Sequence, residues 1–333
     1  SEHGSEPIIS WKGHGGRWIA DARFVLPSGK SGNKIPYNRP SHLLTAANDG
    51  CVCLWDLRSM SCQTGAPKCI STTSKTLHRG GIFSMDISAG NSNDTRVCTG
   101  SKDKTVAVTT LESITHGKAC KPLFVSHHHS AKVGCVAMQQ LQLNSIFSSQ
   151  LIGSASDDGL VAIHDERCNT VVASMTNAHE KPHSIVWHPC KEHLFMTAGY
   201  DEVIKLWDKR DLSVPMLSFS GHVPLTIKKQ KRIHRPAFII PTNKCNESNV
   251  NKDDYILSGS EQSGCLSIFK YDSDTSQHND GASDTPLGEE KISVFSRGCL
   301  PDKLVGDVGS IAIHGSNAAI AVDGGNILIL SPQ

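Results

Sequence analysis

The 333-residue sequence has no long apolar run and a formal net charge of only +1. Its longest apolar stretches, such as AAIAV and ILIL, are far shorter than the ~20 residues that span a bilayer. No charged-then-apolar leader precedes a small-residue cleavage site. We therefore expect an intracellular protein without a membrane segment. Residue 1 is serine rather than methionine, which is compatible with a missing upstream segment.

Paired metal-binding or redox cysteine motifs are also missing. The 12 cysteines are scattered, several stand inside strand-like runs, and none forms a C-x-x-C pair. This distribution predicts buried, reduced thiols rather than a disulfide framework.

The sequence contains no G-x-S-x-G elbow, P-loop or dinucleotide fingerprint. Three adjacent histidines, 127–129, have no nearby carboxylate or thiol that would complete a metal site. We predict no catalytic residue, no metal and no cofactor.

What the chain does contain is an internal repeat. Four aspartates each follow a Ser or Thr by four residues, and each is preceded by a histidine. The four sets are His14, Thr45 and Asp49; His78, Thr99 and Asp103; His129, Ser154 and Asp158; and His179, Thr197 and Asp201. Six residues after these aspartates stand Trp55, Thr109, His164 and Trp207. Period-two alternation and tight D-G or D-K turns fill each unit, which predicts short antiparallel strands and no helical architecture.

Two further units are less regular. The fifth keeps SGH at 220–222 but has Gln262 in the aspartate position and Phe269 in the tryptophan position. The sixth unit, residues 309–330, is a degenerate copy of the repeat.

These markers resemble the WD-repeat family of β-propellers, and the resemblance covers nearly the whole chain. The residues that carry it are Gly13-His14, Gly221-His222, Trp55-Asp56, Trp207-Asp208 and the turn aspartates. The resemblance implies an all-β propeller of four-stranded blades over 1–333, with six repeats visible and six or seven blades. In that family His, Ser/Thr, Asp and Trp of one blade form a buried hydrogen-bonded tetrad. Two tetrads match in full: His14–Thr45–Asp49–Trp55 and His179–Thr197–Asp201–Trp207.

The two ends of the chain are also compatible with a closed ring. The last unit stops after a third strand, and residues 7–11, PIISW, are predicted to form a lone fourth strand.

A second recurrence follows the third strand of three blades. An aspartate and, two residues later, an arginine end LWDLR, IHDER and LWDKR, and strand alternation predicts that both side chains lie on one side. This pattern resembles the W-D-x-R boxes of substrate receptors of cullin-4 ubiquitin ligases, which implies binding to the damaged-DNA-binding adaptor protein. A simple ion pair within each turn is the structural alternative. The predicted adaptor-binding residues are Asp56, Arg58, Asp165, Arg167, Asp208 and Arg210.

A basic segment supports a different hypothesis. The stretch IKKQKRIHRP concentrates positive charge in an otherwise near-neutral chain, in a loop expected at the histidine end of the blades. It predicts contact with DNA, a histone or another acidic partner through Lys228, Lys229, Lys231, Arg232 and Arg235. Trp11, Arg17 and Trp18 flank His14 and are further candidates, although Trp18 falls where a first strand usually buries an apolar residue.

Together the patterns predict a non-enzymatic interaction protein, a monomer within a larger complex in nucleus or cytoplasm. A Ser/Asp/Gly-rich segment, 272–290, is predicted to be a mobile acidic loop between the third and fourth strands of blade five.

Overall fold

In the computed structural model most of the described residues lie in short β-strands. It describes residues 11–25, 40–60, 66–74, 77–88, 95–140, 151–221, 235–239, 253–259, 265–272, 290–292, 295–299, 308–314, 317–322 and 326–330. The strands form six sheets, which we call blades one to six in chain order.

Blades one to three are four-stranded sheets whose strands follow one another in sequence order. Blade one contains β1 (Ile19–Val25), β2 (His42–Ala47), β3 (Val52–Asp56) and β4 (Lys68–Thr72). Blade two contains β5 (Ile82–Ile87), β6 (Arg96–Ser101), β7 (Val106–Thr110) and β8 (Phe124–Ser126), with the helix α1 (Leu111–Thr115) after β7. Blade three contains β9 (Val133–Met138), β10 (Leu151–Ser156), β11 (Leu160–Asp165) and β12 (Thr170–Thr176).

Blades four to six are less uniform. Blade four contains β13 (Pro182–Trp187), β14 (Leu194–Gly199), β15 (Ile204–Asp208) and β16 (Leu217–Phe219), and a fifth strand, β20 (Glu290–Ile292), pairs in parallel with β16. Blade five contains β17 (Ala237–Ile239), β18 (Asp253–Gly259), β19 (Cys265–Asp272) and β21 (Ser296–Cys299). Blade six has three described strands, β22 (Val308–His314), β23 (Asn317–Val322) and β24 (Asn326–Leu330).

The repeated aspartates shape the turns between second and third strands. In blade one the Asp49 carboxylate accepts a hydrogen bond from the Cys51 backbone N–H at 2.9 Å, and in blade three Asp158 accepts one from Leu160 at 2.9 Å. Glycine follows each of these two aspartates with a positive φ, 80° at Gly50 and 87° at Gly159. This conformation costs glycine little, so the D-G dipeptide turns the chain within two residues.

The chain divides into two compact units. The first comprises 1–138, 147–154 and 163–173; the second comprises 139–146, 155–162 and 174–333. In the first unit, apolar clusters lie between consecutive blades, with Leu44, Ile82 and Met85 in one and Val108, Val136 and Ile152 in the next. In the second unit, Phe219 and Phe269 join blades four and five. Burial of these faces provides the main stabilising free energy of such sheets.

Side chains of the first strands also bind the backbone of the following blade. In the first unit the Asp21 carboxylate on β1 accepts from the Met85 N–H on β5 at 3.1 Å. Asp86 on β5 accepts from the Met138 N–H on β9 at 2.9 Å and from Arg23 Nε at 3.2 Å. Consecutive blades are therefore joined by directional hydrogen bonds as well as by apolar contact.

The path of the chain in blade five differs from the sequence prediction. The segment 272–290 was expected to lead from the third strand straight to the fourth, but it leads to β20, which lies on blade four before the chain returns as β21. Residues 273–289 lie outside the described part of the chain, so their predicted mobility remains a prediction, as does the strand expected at 7–10.

The cysteines agree only partly with the expectation of reduced thiols. Within the described part of the chain seven cysteines are not disulfide-bonded: Cys51, Cys53, Cys69, Cys98, Cys120, Cys135 and Cys168. Cys190 is disulfide-bonded, and its partner is not among the cysteines whose side chains the structure describes. The prediction of a fully reduced set was therefore wrong for Cys190, because scattered spacing in sequence gives no information on distance in space.

Candidate functional site

Two complete sets of His, Thr, Asp and Trp come together in blades one and four. In blade one, His14 Nδ1 lies 2.9 Å from Asp49 Oδ2 and His14 Nε2 lies 2.8 Å from Thr45 Oγ1. Trp55 Nε1 donates to the same hydroxyl at 2.8 Å. In blade four the corresponding distances are 2.8 Å from His179 to Asp201, 2.7 Å from His179 to Thr197, and 2.8 Å from Trp207 to Thr197.

The tautomer of the histidine sets the direction of these hydrogen bonds. An indole N–H can only donate, so the threonine oxygen accepts from it; where Nδ1 carries the imidazole proton, the threonine hydroxyl donates to His Nε2. Nδ1–H of the neutral imidazole then donates to the aspartate. Each set thus runs from tryptophan to carboxylate in one direction, and every buried polar atom in that path has a partner.

Blade three builds the same path with a histidine in the tryptophan position. His164 is fully buried, and its Nε2 lies 2.7 Å from Ser154 Oγ, which lies 2.8 Å from His129 Nε2. His164 replaces the indole donor if its Nε2 carries the proton, which leaves Nδ1 buried without a hydrogen-bond partner. Burial and the neighbouring His129 lower the pKa of His164 to about 3, so its imidazole is neutral.

Blade two uses threonines instead of tryptophan. His78 lies 2.8 Å from Thr99 Oγ1 and 2.9 Å from Thr105 Oγ1, and Thr105 donates to Asp103 at 2.6 Å. Thr109, in the tryptophan position, donates instead to the carbonyl oxygen of Lys121 at 2.9 Å. The pairing of β6 with β7 is therefore kept without an aromatic donor.

The three Asp-x-Arg sequences fold into one repeated turn. Each aspartate ends a third strand, and its carboxylate accepts from the backbone N–H of the arginine two residues later, at 2.9 Å for Arg58, 3.0 Å for Arg167 and 2.9 Å for Arg210. The guanidinium folds back onto the same carboxylate through Nε and Nη2. The Nε to Oδ1 distances are 3.0 Å for Arg58, 3.3 Å for Arg167 and 2.9 Å for Arg210.

This geometry differs from the mechanism expected from strand alternation. Asp56 is the last residue of β3, and Arg58 lies in a short 3-10 turn that Asp56 caps, so the turn brings the two side chains together. Blade two has Thr110 in the aspartate position; its hydroxyl caps α1 by accepting from the Ser113 N–H at 2.9 Å. In both cases the side chain at this position caps the turn or helix that follows the third strand.

The guanidinium groups remain open to solvent although each has an ionic partner. The side chains of Arg58, Arg167 and Arg210 are 66%, 59% and 64% exposed. Hydrogen bonds from Arg58 and Arg167 lower the pKa of Asp56 and Asp165. Partial burial opposes this effect at Asp208, but Arg210 still lowers the pKa of that carboxyl group. All three pairs are ionised at neutral pH.

Histidines lie beside two of these turns, which sequence reasoning had missed. Arg58 Nη2 is 3.4 Å from His42 Nε2, and His42 Nδ1 is 2.9 Å from Ser41 Oγ. Burial and Arg58 lower the pKa of His42, and burial and Arg210 lower the pKa of His193. The signal lay in the strand pairing, since His42 is directly opposite Asp56 in the β2–β3 ladder.

The other candidates are placed as follows. Lys228, Lys229, Lys231 and Arg232 lie outside the described residues, and Arg235 stands half-buried just before β17. Trp18 is 59% exposed rather than buried and packs edge-on against Phe83, with ring centroids 5.7 Å apart. Among the described residues no group of three or more His, Cys, Asp or Glu side chains is positioned to hold a metal ion, and no helix there is long and apolar enough to cross a bilayer.

Comparison with known proteins identifies a repeat and a fold. Residues 170–208, which run from β12 to β15, match the family described as WD domain, G-beta repeat. The chain is 38% identical over 74 residues to the ribosome biogenesis protein WDR12 homolog of Ixodes scapularis, which covers 21% of this chain and 17% of that protein. It is 28% identical over 123 residues to histone acetyltransferase type B subunit 2 of Eremothecium gossypii, covering 37% of this chain and 26% of that protein.

These alignments therefore span only about a quarter or less of the relatives' own length. A solved chain from the crystal structure of the mitotic checkpoint complex matches over 94% of this chain and 74% of its own length, with a TM-score of 0.61 and 14% identity, which shows the fold alone. Residues 170–208 are thus similar to a WD repeat, and the solved chain is similar in its β-propeller fold of four-stranded blades.

Proposed function

We propose that this protein is an interaction scaffold that serves as a substrate receptor of a cullin-4 ubiquitin ligase and binds the damaged-DNA-binding adaptor through its Asp-x-Arg turns. The observation that supports this function is the repetition of one turn geometry in three blades. Each turn presents an exposed arginine whose orientation is set by a bidentate carboxylate. WD40-repeat proteins generally act as non-catalytic scaffolds for protein partners, so a repeated surface feature is a candidate contact.

In each turn the aspartate carboxylate orients the guanidinium of the arginine but does not occupy all of the guanidinium's N–H donors. Nε and Nη2 bond to the aspartate, whereas Nη1 has no partner within the described part of the chain. A guanidinium that is already held in place loses little side-chain entropy on binding, and its free N–H groups can reach carbonyl or carboxylate oxygens of a partner. Arginine is also among the residues that contribute most at protein interfaces.

The test is the affinity of the purified adaptor for the native chain and for a variant with Arg58→Ala, Arg167→Ala and Arg210→Ala, measured by biolayer interferometry. We expect the triple variant to bind at least about tenfold more weakly. A variant with Arg17→Ala, Lys118→Ala and Lys181→Ala removes three exposed positive charges elsewhere and should bind as the native chain does. Thermal melting of all three proteins checks their folding.

Replacement of the same three arginines by lysine separates charge from geometry. Lysine keeps the positive charge but cannot make the planar bidentate pair, so we expect the lysine variant to bind nearly as weakly as the alanine variant. If the native chain does not bind the adaptor, or if the folded alanine variant binds it equally well, the three turns have a structural role only and do not form the adaptor-binding site.

A histone or nucleic-acid contact is the second candidate. It is favoured by the similarity to histone acetyltransferase type B subunit 2 and by the basic segment 228–235. This function predicts binding to histones or DNA that weakens as salt rises and that is lost when Lys228, Lys229, Lys231, Arg232 and Arg235 are neutralised, with the three turn arginines intact. Either role is consistent with a protein of the nucleus or cytoplasm.

A further inference from the structure

A pocket of about 610 Å³ opens on blade two, away from the Asp-x-Arg turns of the other blades. Its lining comes from the loop before β5, the turn between β6 and β7, and the end of β8. The residues are Leu77, His78, Arg79, Asp103, Thr105, Val125 and His127. The volume lies within the range of pockets that hold small ligands or single side chains.

The Asp103 carboxylate at the floor of this pocket already has hydrogen-bond partners on both oxygens. Asp103 Oδ1 accepts from Thr105 Oγ1 at 2.6 Å, and Asp103 Oδ2 accepts from the Arg79 backbone N–H at 2.7 Å. Burial alone would raise the pKa of Asp103, but hydrogen bonds from His78 and Thr105 hold it well below its usual range. The carboxylate is thus ionised, with its charge taken up by these donors, and it is not a site that calls for a cation.

The walls of the pocket present positive charge. Arg79 and His127 are exposed, and within the described residues neither side chain has a hydrogen-bond or ionic partner. Lys102 and Lys104 are exposed on either side of Asp103. A Cβ on Gly80 would lie 2.8 Å from the Asp103 backbone nitrogen, so glycine lets the loop close tightly over the turn and places Arg79 at the opening. Leu77 and Val125 provide an apolar wall opposite these donors.

This charge is specific to blade two among the four blades with a described turn. The residue after the repeat histidine is Gly15 in blade one, Ser130 in blade three and Glu180 in blade four, where blade two has Arg79. The residues on either side of the turn aspartate are Asn48 and Gly50, Asp157 and Gly159, and Tyr200 and Glu202, where blade two has two lysines. The repeat itself therefore does not require these cations.

We propose that this pocket binds an acidic side chain of a protein partner, with Arg79 and His127 contacting the oxyanion and Lys102 and Lys104 attracting the surrounding acidic segment. The ligand chemistry is an oxyanion, which a carboxylate or a phosphorylated serine can supply. The apolar wall takes an aliphatic residue next to it. This site is independent of the adaptor-binding arginines, none of which lines the pocket.

The test uses three short fluorescein-labelled peptides that share one sequence with a central leucine. The acidic positions are Asp and Glu in the first peptide, phosphoserine in the second, and Asn and Gln in the third. Fluorescence anisotropy against the native chain should show binding of the first or second peptide at least about tenfold tighter than the third. The better of the first two identifies the source of the oxyanion.

Variants locate the binding in the pocket. Arg79→Gln should weaken the acidic peptide about tenfold, and Lys102→Gln with Lys104→Gln should weaken it mainly at low salt. Lys118→Gln with Lys181→Gln removes the same charge from other exposed positions and should leave binding unchanged. None of these variants changes an Asp-x-Arg turn, so adaptor binding should persist in all of them.

Three results would overturn the proposal. The amide peptide binding as tightly as the acidic ones would mean that the pocket does not recognise an oxyanion. Binding unchanged by Arg79→Gln in a folded variant would place the peptide elsewhere. A single-stranded oligonucleotide that binds more tightly than either acidic peptide, and is lost in the same variants, would assign the surface to nucleic acid.

Discussion

At the scale of single residues, the donor in the tryptophan position decides how each blade holds its buried hydroxyl. An indole N–H supplies one donor and has no second polar atom to satisfy. The imidazole of His164 supplies the same donor but buries an additional acceptor, Nδ1, that has no hydrogen-bond partner. Blade three therefore depends on a histidine that must remain neutral, a dependence that blades one and four do not have.

This dependence predicts a loss of stability in mild acid. The pKa of His164 is about 3 in the folded chain and about 6.5 when unfolded, so the unfolded state binds more protons between these values and stability falls as pH falls through that window. From pH 7.5 to pH 5 this group should cost about 2 kcal/mol of unfolding free energy. His164→Gln, whose amide can still donate to Ser154 but does not titrate, should remove that part of the pH dependence.

The measurement is urea unfolding of native and variant chains at both pH values. His116 is an exposed histidine, and His116→Gln should leave the pH dependence as it is in the native chain. A native chain and a His164→Gln chain that lose equal stability in acid would show that His164 is not buried as a neutral group.

The residue pattern predicted the tetrad members but not the role of His164. The resemblance to WD-repeat proteins implied the sets around Thr45 and Thr197. In the ladders these threonines pair with Cys53 and Lys205, so each meets its tryptophan as a diagonal neighbour. The tautomer of a histidine depends on which partners surround both ring nitrogens in three dimensions, and no spacing encodes that.

At the scale of elements, the first strands of consecutive blades are joined by side-chain to backbone hydrogen bonds. Asp21 binds the Met85 N–H, Asp86 binds the Met138 N–H, and Ser84 Oγ accepts from the Val136 N–H at 3.1 Å. These contacts lie between strands that are about fifty residues or more apart in sequence. Alternation alone could not predict them, because it identifies the face of a strand and not the strand that lies against it.

Asp86→Ala should lower the free energy of unfolding by about 2 kcal/mol, since it removes one acceptor from the Met138 N–H and one from Arg23. Asp86→Asn keeps an acceptor oxygen for the amide and should lose less. Chemical denaturation of both variants measures the difference, with exposed Glu180→Ala as the control for loss of one carboxylate. The same loss in Asp86→Ala and Glu180→Ala would contradict a structural role for this contact.

The added strand β20 gives a second prediction at this scale. Its parallel pairing with β16 includes a hydrogen bond from the Ser220 N–H to the Ile292 carbonyl oxygen at 3.2 Å. Ile292→Pro removes the backbone N–H of the residue that faces β16 and restricts the strand, so amide exchange in β16 should become faster while Ile292→Val leaves it unchanged. Hydrogen–deuterium exchange over 217–220 measures this effect. Unchanged exchange in the proline variant would mean that β20 does not protect this edge.

Sequence patterns predicted the hairpins of the blades but neither β20 nor α1. β20 is three residues long and pairs with a strand about seventy residues earlier, so no local periodicity marks it. α1 is five residues long and is capped by Thr110 where the other blades have an aspartate cap, and so short a helix leaves no helical period in the sequence.

At the scale of the whole molecule, the proposed adaptor contacts are distributed over blades one, three and four. Contacts in separate turns with no shared partner should contribute independently. We expect Arg58→Ala, Arg167→Ala and Arg210→Ala each to weaken adaptor binding several-fold, and the triple variant to lose approximately the product of the three effects. Affinities of the three single variants measure this. If one single variant loses adaptor binding completely and the other two bind normally, only one of the three Asp-x-Arg turns contacts the adaptor.

The side-chain oxygens that accept backbone N–H groups between first strands share one chain direction, whereas the side chain of Arg23 on β1 donates forward to Asp86 on β5. Asp21, Ser84 and Asp86 each precede in sequence the amide that donates to them. A ribosome therefore releases each acceptor before its donor exists, and the oxygens of a finished blade stay hydrated until the next blade has been synthesised. Blades one and two therefore each leave acceptors in place for backbone amides of the blade that is synthesised next.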